Sequence, residues 1–209
     1  VLGDSFAEDI FLAISYSKQD VSIERITFDD TCMNSLLTIS SGKISSCTGL
    51  EMKDFIGKVK NATDIIISAK WQKHTYKGGL NFVDSLHSKT NARLYVVGSI
   101  LFSNIQAMHL KLGPGVSATS IEAKKLFYQY IRWDRLRISN ELKGLSKASP
   151  HINWIEKSEF FCTHSIEQCE LISDENFPLI WDNAHLTVDA YQEFAQFIIE
   201  RLLEDSLIQ

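Results

Sequence analysis

Nowhere in this sequence does an uninterrupted apolar run approach the roughly 18–20 residues that cross a bilayer, so no transmembrane helix is expected within it. Proline and glycine are scarce, with three and ten copies in 209 residues, which argues against a fibrous or disordered chain. A basic excess is missing too: 21 Lys and Arg stand against 26 Asp and Glu, for a formal net charge of −5. The densest basic stretch, Lys124-Lys125 followed by Arg132, Arg135 and Arg137, has the spacing of one or two solvated helix faces, and no nucleic-acid partner is expected. Gly113-Pro114-Gly115 lacks the Lys-Ser/Thr that would follow in a nucleotide-binding loop, and no cofactor is expected. No linker, repeat or low-complexity tract divides the chain, so residues 1–209 read as a single domain.

Close CxxC pairs are also absent, which removes the commonest signature of structural zinc, and no metal is expected. The four cysteines fall instead as two local pairs, Cys32 with Cys47 and Cys162 with Cys169. Two disulfides closing short loops suit an exported protein; four reduced thiols suit the cytosol. The disulfide reading is the one carried forward.

What is present is an alternation of strand and helix signals. Apolar positions Phe6, Ile10, Leu12, Ala13 and Tyr16 recur at near-helical spacing over about 6 to 18. Val21–Phe28, rich in β-branched residues, reads as a strand. Met52–Asn61 reads as a helix and 64–69 as a short buried strand. A helix over about 79–88 leads to a second such run at 92–98. Residues 120–142 are expected to hold one long helix with Ser120 as N-cap, in which Phe127, Tyr128, Tyr130 and Trp133 are core positions. Ile152–Ile155 is a further strand, and an amphipathic helix closes the chain, with Thr187 as N-cap. Alternating strands and helices imply a three-layer α/β/α sandwich: a central parallel sheet of about five strands, flavodoxin-like in arrangement. Ligands bind at the carboxyl ends of such strands.

Two short motifs at opposite ends of the chain carry the chemistry. Gly3-Asp4-Ser5 lies between an apolar strand end and a helix, where a serine has its hydroxyl at the sheet rim and its N–H at a helix N-terminus. Taken alone, the same residues would serve as an ordinary cap of a strand-to-helix turn. Asp182-Asn183-Ala184-His185-Leu186-Thr187 precedes the last helix. A serine hydroxyl needs a base, and the base needs a third group to fix its tautomer. Ser5 is therefore the expected nucleophile, His185 the base and Asp182 its orienting carboxylate. The chain opens in what reads as the end of a strand running into a turn, as a trimmed mature chain or a domain excised from a longer protein would.

Gly3-Asp4-Ser5 resembles the first block of the SGNH/GDSL hydrolases, and Asp182-x-x-His185-Leu186-Thr187 is similar to their last. Within that superfamily the chain most resembles the SGNH domains fused to membrane acyltransferases that O-acetylate bacterial surface polysaccharides. Ala69-Lys70-Trp71 is similar to an Ala-Arg-Trp found there, and the cysteine pairs sit where such domains often carry theirs. The resemblance implies an esterase or O-acyltransferase acting on acetyl or other short acyl esters, with a glycan acceptor, an acyl donor and an attached transmembrane acyltransferase domain. It also implies a bacterial, extracytoplasmic (periplasmic) setting. Asp4 and Trp71 become candidates for the substrate pocket.

The sequence departs from the family pattern in one respect that bears on rate. The family completes its oxyanion hole with a Gly and with the Asn of a GxND-like block; here the corresponding strand ends at Ser68-Ala69-Lys70-Trp71. By the resemblance, backbone N–H groups around Asp30-Thr31-Cys32 are expected to join Ser5 in that hole. Loss of one oxyanion donor typically costs about 10²–10³ in rate. The alternative is thus a catalytically weak glycan-binding or docking module that kept the fold.

Overall fold

In a computed structural model the described residues are 1–17, 22–28, 41–73, 76–103, 108, 111–112, 120–162, 165–173, 177–182 and 185–204. They divide into two compact units: Val1–Glu8, Glu24–Gly98 and Arg137–Ile155 form one, and Asp9–Ile23, Ser99–Leu136 and Glu156–Gln209 form the other.

The first unit holds five strands: β1 (Leu2–Gly3), β2 (Ile26–Thr27), β3 (Asp64–Ser68), β4 (Arg93–Val97) and β5 (Ile152–Ile155). All four pairings are parallel, and the order is β2-β1-β3-β4-β5, the flavodoxin-like order expected. The strands are apolar on both faces because a parallel sheet is covered on both. Along them side chains alternate. Leu2, Ile65, Ile67, Leu94, Val96 and Ile152 join one core with Phe55 and Val59 of α3 (Met52–Asn61) and with Leu80, Phe82, Val83 and Leu86 of α4 (Tyr76–His87). Phe28 meets Phe82 edge-on in that core, with ring centroids 5.5 Å apart.

Two elements differ from the sequence reading. The strand expected over Val21–Phe28 is paired only at Ile26–Thr27, while Val21 lies outside the described residues. It pairs with β1, itself two residues long, so the ladder offers it no further partner. A helix that the periodicity did not announce, α2 (Ser41–Thr48), is poor in strong helix formers; fully buried Ile44 and the disulfide-bonded Cys47 hold it by packing instead.

α1 (Ser5–Tyr16) begins in the first unit and continues from Asp9 in the second. The second unit also contains α5 (Ile121–Gln129), the first turn of α6 (Trp133–Ala148), a 3₁₀ turn (Lys157–Phe160) and α7 (Val188–Glu204). Phe160, Phe161, Phe194 and Phe197 form a run of ring contacts between the 3₁₀ turn and α7.

The single long helix expected over 120–142 is in fact two. Ser120 does cap α5, accepting the Ala123 N–H at 3.1 Å. The chain then leaves the helix because residues 101–103 capture its backbone: Arg132 N–H donates to the Leu101 carbonyl and Ser103 N–H to that of Tyr130, forming the Phe102–Ile131 bridge. Of the aromatic residues assigned there to the core, Phe127 is buried. Tyr128 and Trp133 are exposed, packed edge-on against each other at 5.4 Å.

Candidate active site

The Gly3-Asp4-Ser5 segment is shaped by close backbone approach. Gly3 has φ of +149°, a conformation that L residues rarely adopt, and a Cβ placed there would lie 1.7 Å from the Ser68 carbonyl oxygen. Only glycine lets β1 lie this close to β3 before turning into α1. Asp4 is buried and uses both carboxylate oxygens on backbone: Oδ1 accepts the Phe6 N–H at 2.9 Å and Oδ2 the Lys70 N–H at 2.7 Å. It therefore caps α1 and ties the loop after β3 to the β1–α1 turn. Ser5 follows as the first residue of α1, exposed, where first-turn N–H groups have no partner within the helix.

Trp71, the other pocket candidate, is only 3% exposed. Its Nε1–H donates to the Val97 carbonyl at 2.7 Å and its ring lies against Gly79, where an added Cβ would come within 2.3 Å of the indole. These contacts commit it to the core of the first unit. Thr31 and Cys32 lie outside the described residues.

In the second unit, Asp182 chelates His185. Its Oδ1 accepts the His185 backbone N–H at 2.8 Å, and its Oδ2 lies 2.8 Å from the ring Nδ1. A carboxylate at Nδ1 fixes the tautomer with the proton on that nitrogen and leaves Nε2 as the basic one. The next peptide is held on both sides. The His185 carbonyl accepts the Trp181 N–H at 2.7 Å, and the Leu186 N–H donates to Asp9 Oδ1 at 3.2 Å. Thr187, expected as the cap of α7, stands just before its first residue and donates its hydroxyl to the Pro178 carbonyl.

Sequence reasoning missed three residues around this loop. Asp9, on α1, pairs through Oδ2 with Lys157 Nζ at 3.0 Å, and both side chains are almost wholly buried. Burial pushes the Asp9 carboxyl above its ordinary value, against the opposing positive charge of Lys157 and a smaller influence of His185. Arg135, read from sequence as part of a solvated face, is half-buried, donates to the Ile100 carbonyl and lies in electrostatic reach of Asp182. Burial draws its guanidinium below the ordinary range, with a further push from the charge of Arg132 and an opposing pull from the carboxylates of Asp134 and Asp182. The periodic pattern gives no signal for any of these partners, because they come from separated parts of the chain.

Cys162 and Cys169 form a disulfide, and Cys47 is disulfide-bonded; Cys32, its expected partner, lies outside the described residues. Among the described residues no cysteine is free, no group of three His, Cys, Asp or Glu side chains gathers as metal ligands, and no helix is long and apolar enough to cross a membrane.

A family model described as "SGNH domain (fused to AT3 domains)" matches residues 1–200. Among solved structures, the periplasmic domain of a lipopolysaccharide acetyltransferase from Salmonella ser. Paratyphi A superposes with a TM-score of 0.56 at 13% identity, over 97% of this chain and 82% of that one. At that identity the likeness is one of fold. A search of the curated proteins finds no match.

Proposed function

Because this chain belongs to the SGNH domains of the kind fused to AT3 domains, we propose that it is a serine-dependent esterase or O-acyltransferase acting on acetyl or short acyl esters of cell-surface polysaccharide. Ser5 Oγ attacks the ester carbonyl carbon while His185 Nε2 takes its proton. The Ser5 N–H, at the positive end of α1, receives the developing oxyanion, joined by backbone N–H groups at Thr31 and Cys32. His185 then returns the proton to the departing alcohol, leaving the acyl group on Ser5 Oγ. In the second half, His185 activates a sugar hydroxyl, or water, to take the acyl group. Asp182 holds the imidazole and stabilises its charged form throughout.

The observation that carries this reading is the Asp182–His185 pair, in which one carboxylate fixes both the backbone and the ring of the residue proposed as base. Its family, its fold and its Cys162–Cys169 disulfide suit an extracytoplasmic domain attached to a membrane acyltransferase, and the acetyltransferase among the solved structures suits a lipopolysaccharide or related glycan as acceptor. Residues 1–209 are taken as one catalytic domain. Ser5→Ala should abolish hydrolysis of p-nitrophenyl acetate, and Asp182→Asn should lower kcat by about 10⁴. Unchanged turnover in Ser5→Ala would remove Ser5 from the reaction.

A second reading, a docking or glycan-binding module with little catalysis, is favoured by the end of β3. Where the family places its Asn block, the Lys70 N–H is engaged by Asp4 and the Trp71 side chain by Val97. A fluorophosphonate probe separates the two readings: covalent labelling at Ser5 supports the enzyme, and an unmodified serine supports the module.

A further inference from the structure

We infer that Asp9 and Lys157 form a positioning pair for His185, an inference that rests on the catalytic reading above only in the role it gives that histidine. The His185–Leu186 peptide is held on both sides. Its carbonyl accepts from Trp181, and its N–H donates to Asp9 Oδ1 at 3.2 Å. With both polar groups engaged, the plane of this peptide is set, and with it the direction in which the His185 Cα–Cβ bond leaves the backbone. Asp182 governs the ring, whereas Asp9 governs the backbone from which the ring projects.

Asp9 can do this because its own orientation is fixed. Its second oxygen is held by Lys157 Nζ at 3.0 Å, with the two side chains 1% and 0% exposed. The ammonium lies 5.3 Å from the centroid of the Phe194 ring on α7, the helix that starts three residues after His185. Lys157 itself begins the 3₁₀ turn, where the Glu156 side chain accepts from Ser158. One cation thus registers the carboxylate and the following helix together.

A stabilising role alone does not account for the arrangement. Two buried charges lose their hydration, and a well-packed apolar pair of similar volume often does as well or better. An apolar pair would leave the Leu186 N–H without the acceptor that orients it. Asp9 and Lys157 touch no reacting atom; they act through His185.

The test compares two double variants that both delete the buried charges. D9N/K157M keeps an oxygen at position 9 for the Leu186 N–H, while D9L/K157M does not. Two readouts are taken on the folded chain: kcat and KM for p-nitrophenyl acetate, and the low-field proton NMR resonance of His185 Nδ1–H. D9L/K157M should lose kcat roughly ten- to hundredfold with KM little changed, as expected when a catalytic group is misplaced. Its Nδ1–H resonance should shift or broaden. D9N/K157M should rescue both.

Wild-type kcat and resonance in folded D9L/K157M would overturn the proposal. Should the leucine variant fail to fold, D9A/K157M provides the same comparison with less volume at position 9. If Ser5→Ala proves fully active, the nucleophile assignment fails while the resonance alone decides whether Asp9 positions His185.

Discussion

Replacing Gly3 by alanine is the sharpest test of the turn that presents Ser5. The added Cβ would meet the Ser68 carbonyl oxygen at 1.7 Å and the Ala7 Cβ at 2.9 Å, and real Cβ atoms essentially never approach another atom closer than 3.0 Å. Gly3 and Ser68 must therefore separate by more than an ångström, and neither obstacle is the end of a flexible side chain. The backbone is also in a region reserved for glycine, which costs another residue about 1–3 kcal/mol. Opening the Gly3–Ser68 register and the Phe28 N–H to Gly3 carbonyl bond forfeits roughly 1 kcal/mol for each buried hydrogen bond lost. The total, about 3–5 kcal/mol, is a large part of the 5–15 kcal/mol that holds a typical domain. With a urea slope of roughly 2 kcal/mol/M, the unfolding midpoint followed by tryptophan fluorescence should fall by about 1.5–2.5 M. Labelling of Ser5 by a fluorophosphonate should fall with it, at urea concentrations where the variant is still folded. A midpoint within about 0.3 M of wild type would mean that β1 and β3 do not approach as described.

Trp71→Phe should cost about 1–3 kcal/mol, because the Val97 carbonyl loses a buried donor, and should leave KM for a glycan acceptor unchanged; a KM effect without a stability effect would place Trp71 in a pocket after all. Converting Cys162 and Cys169 to serine opens a short loop, and by loop-closure entropy should cost roughly 2 kcal/mol in thermal unfolding. Asp9 predicts a pH effect. Burial raises its folded-state pKa, so the folded chain binds more protons than the unfolded one between about 4, the ordinary carboxylate value, and the raised value. That contribution is complete below about pH 4 and is lost as pH rises through the raised value. D9N/K157M should therefore gain stability relative to wild type as pH is raised from 4 to 7; urea midpoints with a constant difference across that range would contradict it.

The legible parts of the sequence were those whose cause is local. The runs at Asp64–Ser68 and Arg93–Val97 read as buried strands because every residue of a strand covered on both faces must tolerate burial. Met52–Asn61 and Ile152–Ile155 were read to the residue. The Asp182–His185 pair was legible for the same reason: the carboxylate stands only three positions before the ring that it holds. What stayed hidden was tertiary. The helix break at Tyr130–Arg132 is imposed by residues 101–103, α2 is held by burial of Ile44, and the Asp9–Lys157 pair joins positions 148 apart. Asp4 was visible as a polar residue beside the serine, but its capping of Phe6 and Lys70 depends on where β3 ends.

β3 and β4 are paired along five residues, whereas β1 is paired along two on each side. The seam that leads into Ser5, the proposed nucleophile, thus has the shortest ladders in the sheet. Warming should loosen it while the rest of the sheet stays intact, so that heated samples lose Ser5 reactivity at temperatures where their circular dichroism is still native. A storage or assay protocol that monitors folding alone would then overestimate how much of the protein can still react.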